Sequence, residues 1–162
     1  MKKNSSIHIN PEKAYAKMAH LCSGKEYCRH EIQAKLQRMP LSEDEIDKIV
    51  KQLEKERFID ELRYAKSFIH DKLHFLRWGK IKIAMALRHK GIPSELIDKA
   101  FSEFSSDEMT DALQALLTKK MKTVKATSEY EKRAKLIRFA LGKGFEVDDI
   151  VRCVDRLFTK CK

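Results

Sequence analysis

The chain of 162 residues is 43% hydrophobic and 36% charged, with a net charge of +10 and a pI near 9.4. That length holds one domain or a few small modules and excludes two large ones, and the positive excess attracts polyanions, of which nucleic acid is the commonest inside cells. Five glycines and three prolines among abundant Lys, Glu, Ala, Leu and Ile favour helix over sheet, because straight-chain side chains lose little rotamer freedom in a helix.

Residues 1–10 read as a tail: MKKNSSIHIN begins basic but has no apolar core behind it, so it is not a secretory signal. No run approaches the length needed to span a membrane. A cytoplasmic chain is expected, with Cys22, Cys28, Cys153 and Cys161 as free thiols. From Pro11 to Leu21, Ala14, Tyr15, Met18 and Leu21 recur at helical spacing. Residues 36–53 then read as helix, break, helix, with Pro40 as the stop and Ser42-Glu43-Asp44-Glu45 as a capping box. Asp60 to Leu73 is a further helix, carrying Tyr64, Ala65, Phe68, Ile69 and Leu73. Residues 87–104 repeat the helix–break–helix pattern with Gly91 as the stop. Asp107 to Met121 forms the next helix, with Met109, Leu113, Leu116 and Leu117 after a Ser105–Glu108 capping spacing. Residues 140–157 repeat the pattern once more, with Gly144 as the stop.

The three helix–break–helix segments align without gaps. Leu36, Leu87 and Ala140 open them; Ile46, Ile97 and Ile150 follow ten residues later; Leu53, Phe104 and Leu157 follow seventeen later. Glycine at the break supplies the left-handed conformation of a helix C-cap, and Ser94 and Asp148 cap or precharge the helix starts that follow. The expected fold is all-α, three tandem three-helix repeats at 11–59, 60–106 and 107–162, the last ending in a short tail. A unit this small cannot bury its apolar face alone, so the units stack into an elongated array open to curvature. The alternative is a compact nine-helix globule that keeps the period only as a trace of duplication.

Charge is uneven. Residues 119–143 carry nine basic side chains against Glu129 and Glu131, a net +7 in 25 residues. A second cluster spans Arg77 to Lys90 with no acid in it. Periodicity puts Ile83, Ala84 and Leu87 on a buried face, with Lys82 and His89 opposite. It likewise buries Ala134, Ile137 and Leu141, with Lys135 and Arg138 elsewhere. Stacked in register, such rows join into a positive stripe that follows a phosphate backbone or an acidic protein groove without reading sequence. The candidate partner- or DNA-binding residues are Arg77, Lys80, Lys82, Arg88, Lys90, Lys119, Lys120, Lys122, Lys132, Lys135 and Arg138. Trp78, the one tryptophan, reads as a core anchor with base stacking as its other use.

Catalytic signatures are missing. Gly142-Lys143-Gly144 lacks the flanks of a phosphate loop. His70 and His74 have helical ligand spacing but no HExxH glutamate. The cysteines of the His20, Cys22, Cys28, His30 group stand too far apart for a zinc knuckle. No catalytic residue, metal or cofactor is expected.

The ordered motifs Ala14-Tyr15, Cys28-Arg29-His30-Glu31-Ile32, Asp60-Glu61-Leu62-Arg63-Tyr64-Ala65, and Gly79-Lys80-Ile81-Lys82-Ile83 through Leu87, Lys90, Gly91 and Ile92 resemble the RecX family of bacterial RecA regulators. The resemblance runs over about residues 14–104; the last unit joins by repeat logic. Cys28 stands where the family usually has a small hydroxyl residue. The resemblance implies three tandem three-helix repeats and binding along the groove of the RecA–single-stranded-DNA filament. It further implies damping of filament growth, ATP hydrolysis and co-protease activity. A monomer with weak double-stranded DNA binding and no membrane contact is expected. The resemblance makes Asp60, Arg63, Tyr64, Ala65, Gly79, Leu87 and Gly91 packing and turn residues. Two other readings stay open: a free-standing helical DNA-binding protein, and an adaptor for some other acidic protein. The scarcity of Asn and the lysine-rich rows argue against base reading.

Overall fold

A computed structural model describes residues 9–160 of the chain. Most of the expected N-terminal tail, and Cys161, lie outside the described residues. The described residues form helices joined by short loops, with no strand: α1 Pro11–Gly24, α2 Arg29–Gln37, α3 Glu43–Lys55, α4 Glu61–Phe75, α5 Lys80–His89, α6 Ser94–Phe101, α7 Ser106–Met121, α8 Glu129–Gly142 and α9 Val147–Lys160. Each consecutive triplet packs on itself.

The opening helix of every triplet carries its own cap. Asn10 accepts from the Glu12 amide, Asp60 from the Arg63 amide and Ser105 from the Glu108 amide. These side chains satisfy amides that have no partner inside the helix. Ser42 and Glu45 complete the capping box of α3. Ser94 does not cap α6: it is the first helical residue, and Pro93 stands before it. Proline's fixed φ already suits a helix entrance, so the serine hydroxyl is not needed there. Asp148 lies in the first turn of α9 beside Asp149, where negative charge favours the helix dipole.

Three helices end in the same left-handed turn. The Phe58, Ile92 and Phe145 amides bond back to the carbonyls of Leu53, Leu87 and Ala140 at 2.9, 3.1 and 3.3 Å. The residue before each has positive φ: Arg57 at 61°, Gly91 at 77° and Gly144 at 90°. Glycine takes this conformation freely, whereas Arg57 takes it against its Cβ.

The core is divided. Ala14, Met18, Ile32, Leu36, Ile46, Ile49, Val50, Leu53 and Ile59 form one cluster, all from the first triplet. A second, continuous cluster joins the other two triplets and takes in Cys28. In α5 the buried row is Ile83, Ala84 and Leu87, as the period indicates. In α8 it is Leu136 and Ala140, while Leu141 is exposed and Ala134 and Ile137 are only half-buried. The helix has two adjacent apolar rows, and packing against α7 and α9 selects the one periodicity alone did not. Trp78 is half-buried and packs against the shared core.

The two junctions between triplets differ. Between the second and third, the Gly79 amide donates to the Lys143 carbonyl at 2.7 Å and the Ile81 amide to the Gly144 carbonyl at 3.0 Å. The end of α8 therefore caps the start of α5. Between the first and second, side chains make the equivalent link. The Arg29 amide donates to the Glu61 carboxylate at 2.6 Å, and the Cys28 thiol faces the Lys90 carbonyl at 3.9 Å. Tyr64 donates to Glu31 at 2.6 Å, Lys90 pairs with Glu31 at 3.5 Å, and Arg63 pairs with Glu26 at 2.6 Å. Only α8, the last second helix, starts on its own side-chain cap, Ser128.

Two outcomes follow for stability. A Cβ on Gly79 would stand 2.4 Å from the backbone of Gly144 and Phe145. Gly79→Ala is expected to destabilise the second and third triplets by about 2 kcal/mol or more, through overpacking and lost amide bonds, read in urea melts followed by circular dichroism. Leu87 is fully buried. Leu87→Asp is expected to cost roughly 3 kcal/mol or more as an unpaired buried charge; an unchanged melt would refute its place in the core.

Candidate nucleic-acid interface

The end of α4, the last turns of α7 and the outer side of α8 enclose a groove of about 560 Å³. Arg77, Lys119, Lys120 and Lys143 line it together with His74, Phe75 and Phe139. A second groove of about 400 Å³ continues along α8 and is lined by Lys120, Lys125, Lys135 and Arg138 with Val124. The two share Lys120, Thr123 and Phe139, so they form one surface. No Asp or Glu lines either groove among the described residues.

Local chemistry explains why the charge gathers here. Lys119 and Lys120 occupy the last turn of α7, where the carbonyl end of the helix favours cations. The ammonium of Lys120 lies 4.7 Å from the Phe139 ring centre and that of Lys143 lies 5.8 Å from it. The Trp78 ring is flanked likewise by Lys72 at 5.0 Å and Lys82 at 4.4 Å. Cation–π attraction holds these lysines beside aromatic faces that would otherwise be bare. Lys135 donates to the Lys125 carbonyl at 2.6 Å and pairs with Glu131 at 3.1 Å. The Thr127 hydroxyl and amide, with Lys135, hold the Glu131 carboxyl down at about 2. This knot fastens the 122–128 loop to the start of α8.

The sequence-derived candidates divide into groups. Arg77, Lys119, Lys120, Lys135 and Arg138 line the grooved surface, and Lys82 is not in its lining but lies over the Trp78 ring. Lys80 lies in a different cleft with Glu146 and Asp149, its ammonium 5.4 Å from the Phe101 ring centre. Lys90 pairs with Glu31 at the junction of the first two triplets. Lys122 lies on the outer flank of α7 with Thr118 and Lys119. Arg88 is exposed near the end of α5, and Lys132 is half-buried at the start of α8. Sequence reasoning did not select His74, Phe75, Lys125, Phe139 and Lys143. Lys125 and Lys143 belonged to the basic run; Phe75 had no signal beyond its place after the last buried residue of α4.

The motif residues have structural partners. Asp60 caps α4; Arg63 pairs with Glu26 and donates to the Arg57 carbonyl; Ala65 and Leu87 are fully buried. Burial and the bond to Glu31 push the Tyr64 hydroxyl pKa well up. Burial pushes the Cys28 thiol up to about 11, which keeps it protonated and unreactive at neutral pH. Cys22 is likewise a free thiol. The His70 and His74 ring centres lie 4.7 Å apart with their planes tilted by 49°. Among the described residues no group of three or more His, Cys, Asp or Glu side chains is placed to hold a metal ion, and no helix is long and apolar enough to cross a membrane.

Comparison with known proteins agrees with this architecture. Residues 60–100 match the family model of the second three-helix domain of RecX, and residues 106–154 match that of its third. Regulatory protein RecX of Prosthecochloris aestuarii is 32% identical over 135 residues, 83% of this chain and 87% of its own. Regulatory protein RecX of Chlorobium phaeobacteroides is 32% identical over 147 residues, 91% of this chain and 95% of its own. The crystal structure of RecX from Lactobacillus salivarius superposes with a TM-score of 0.82 over 92% of this chain and 97% of that one, at 23% identity, and so shares the fold. Two successive domain models, with relatives at this identity along most of their length, make this chain a member of the RecX family of regulatory proteins.

Proposed function

We propose that this protein regulates the recombinase RecA by binding its filament on single-stranded DNA and damping recombination, ATP hydrolysis and co-protease activity. The observation that carries the DNA half of this reading is the basic groove made by α7, α8 and the α4–α5 turn, whose lining holds no Asp or Glu among the described residues. Its charges are mostly lysines, point charges that suit phosphate at any sequence. The RecA half rests on family membership. The protein acts by occupying the filament as a monomer in the cytoplasm, with no chemical step and no cofactor. Arg77, Lys119, Lys120, Lys135 and Arg138 contact phosphate or acidic side chains of the filament. A second reading is a sequence-independent DNA-binding protein that does not act on RecA; the same basic surface would serve it.

The test is ATP hydrolysis by the cognate RecA on single-stranded DNA. Substoichiometric amounts of the protein are expected to suppress it. Suppression only when the protein suffices to coat the DNA, or none with DNA binding intact, would favour the second reading. Lys119→Ala with Lys120→Ala is expected to weaken suppression about tenfold while leaving helicity unchanged, since both side chains are on the surface of α7. On bare single strands the same pair is expected to lower the salt slope by roughly 0.7 per lost phosphate contact.

A further inference from the structure

We propose that Phe75 forms a base-stacking subsite in the basic groove, so that the groove takes unpaired nucleotides in preference to duplex. The inference rests on the nucleic-acid reading of this groove and adds the element that reads the base.

Two phenylalanine rings line the groove, Phe75 and Phe139, and they differ in exposure. Phe139 is half-buried and has the Lys120 and Lys143 ammoniums 4.7 and 5.8 Å from its ring centre. Phe75 is 74% exposed and meets the His70 ring edge-on at 6.2 Å. Its exposure follows from the register of α4. Ala65, Ile69 and Leu73 form the buried row, and Phe75 falls two residues beyond it, turned away from the core. An exposed phenyl ring forgoes roughly 2 kcal/mol of burial, so the position does not serve packing.

The backbone then fixes what stands beside the ring. Arg77 has a φ of 54°, and the Trp78 amide returns to the Lys72 carbonyl at 3.0 Å. Left-handed backbone at a non-glycine residue is strained and is held by its surroundings. Here the turn is held at its far end by the bonds of Gly79 and Ile81 to the Lys143 and Gly144 carbonyls. It brings Arg77 into the same groove as Phe75, Lys119 and Lys120. The groove's 560 Å³ lies within the range of small-ligand sites, about 300–1,000 Å³. A phenyl face with cations beside it matches an unpaired nucleotide: the base stacks on the ring and its phosphate meets Lys119, Lys120 or Arg77. In a duplex the bases are already stacked on one another and out of reach.

The experiment compares three probes of equal length in fluorescence anisotropy: oligothymidylate, the same backbone with abasic sites, and duplex DNA. Phe75→Ala is expected to weaken oligothymidylate binding about 5- to 150-fold, the usual worth of one base stack, and to leave the abasic and duplex probes unchanged. Phe75→Trp is expected to preserve oligothymidylate binding. Equal loss on all three probes, or no loss on oligothymidylate, overturns the stacking subsite while leaving the basic groove in place. Failure of the unaltered protein to bind any of the probes overturns the groove reading as well.

Discussion

The meeting of two helix ends organises the second and third triplets. The C-terminal carbonyls of α8 face the N-terminal amides of α5, so two sets of backbone groups without partners in their own helices satisfy each other. The partial charges at those ends are opposite, which adds to the attraction. Gly79 and Gly144 make the approach possible, because a side-chain carbon on either would fall within 3 Å of the facing residue. The same contact sets Trp78 and Lys82 beside the end of α8. Without it the basic surface would lose the α4–α5 turn that forms one of its walls.

The first triplet is attached by a different kind of link. It has its own core, and its bonds to the second triplet run mainly through Glu26, Glu31, Glu61, Arg63, Tyr64 and Lys90. Glu61 takes over the capping of α2 that a backbone carbonyl performs for α5, and burial raises its carboxyl pKa. Cys28 occupies the position matching Gly79, and its buried thiol faces the carbonyl of Lys90 as Gly79 faces that of Lys143. The chain is thus a fused pair of triplets with a third joined to it through side chains. In repeat arrays a terminal unit must satisfy by itself what an inner unit receives from its neighbour. The Ser128 cap on α8 does so.

These junctions also sort the charge. Glu26, Glu31 and Glu54 take up Arg63, Lys90 and Arg29 near the first triplet, and Glu146 and Asp149 lie beside Lys80. The grooved face of α7 and α8 with the α4–α5 turn has no Asp or Glu in its lining among the described residues, and Glu131 meets it only through Lys135. A net positive charge spread evenly would attract a polyanion weakly everywhere; concentrated on one grooved face, it sets where a phosphate chain lies.

Much of this was legible in the chain itself. The helices, the stops at Gly91 and Gly144, the Ser42 and Ser105 caps and the three-fold recurrence depend on contacts within a few residues, so local pattern determined them. The basic run at 119–143 was equally plain. Which apolar row of α8 turns inward, that Lys80 and Lys90 stand among acids, and that Phe75 is left bare while Trp78 is covered were decided only by tertiary structure. The first two depend on partners in other helices. Periodicity says how far apart the buried residues recur, but only the packed partner says which face meets the core and which charges meet each other.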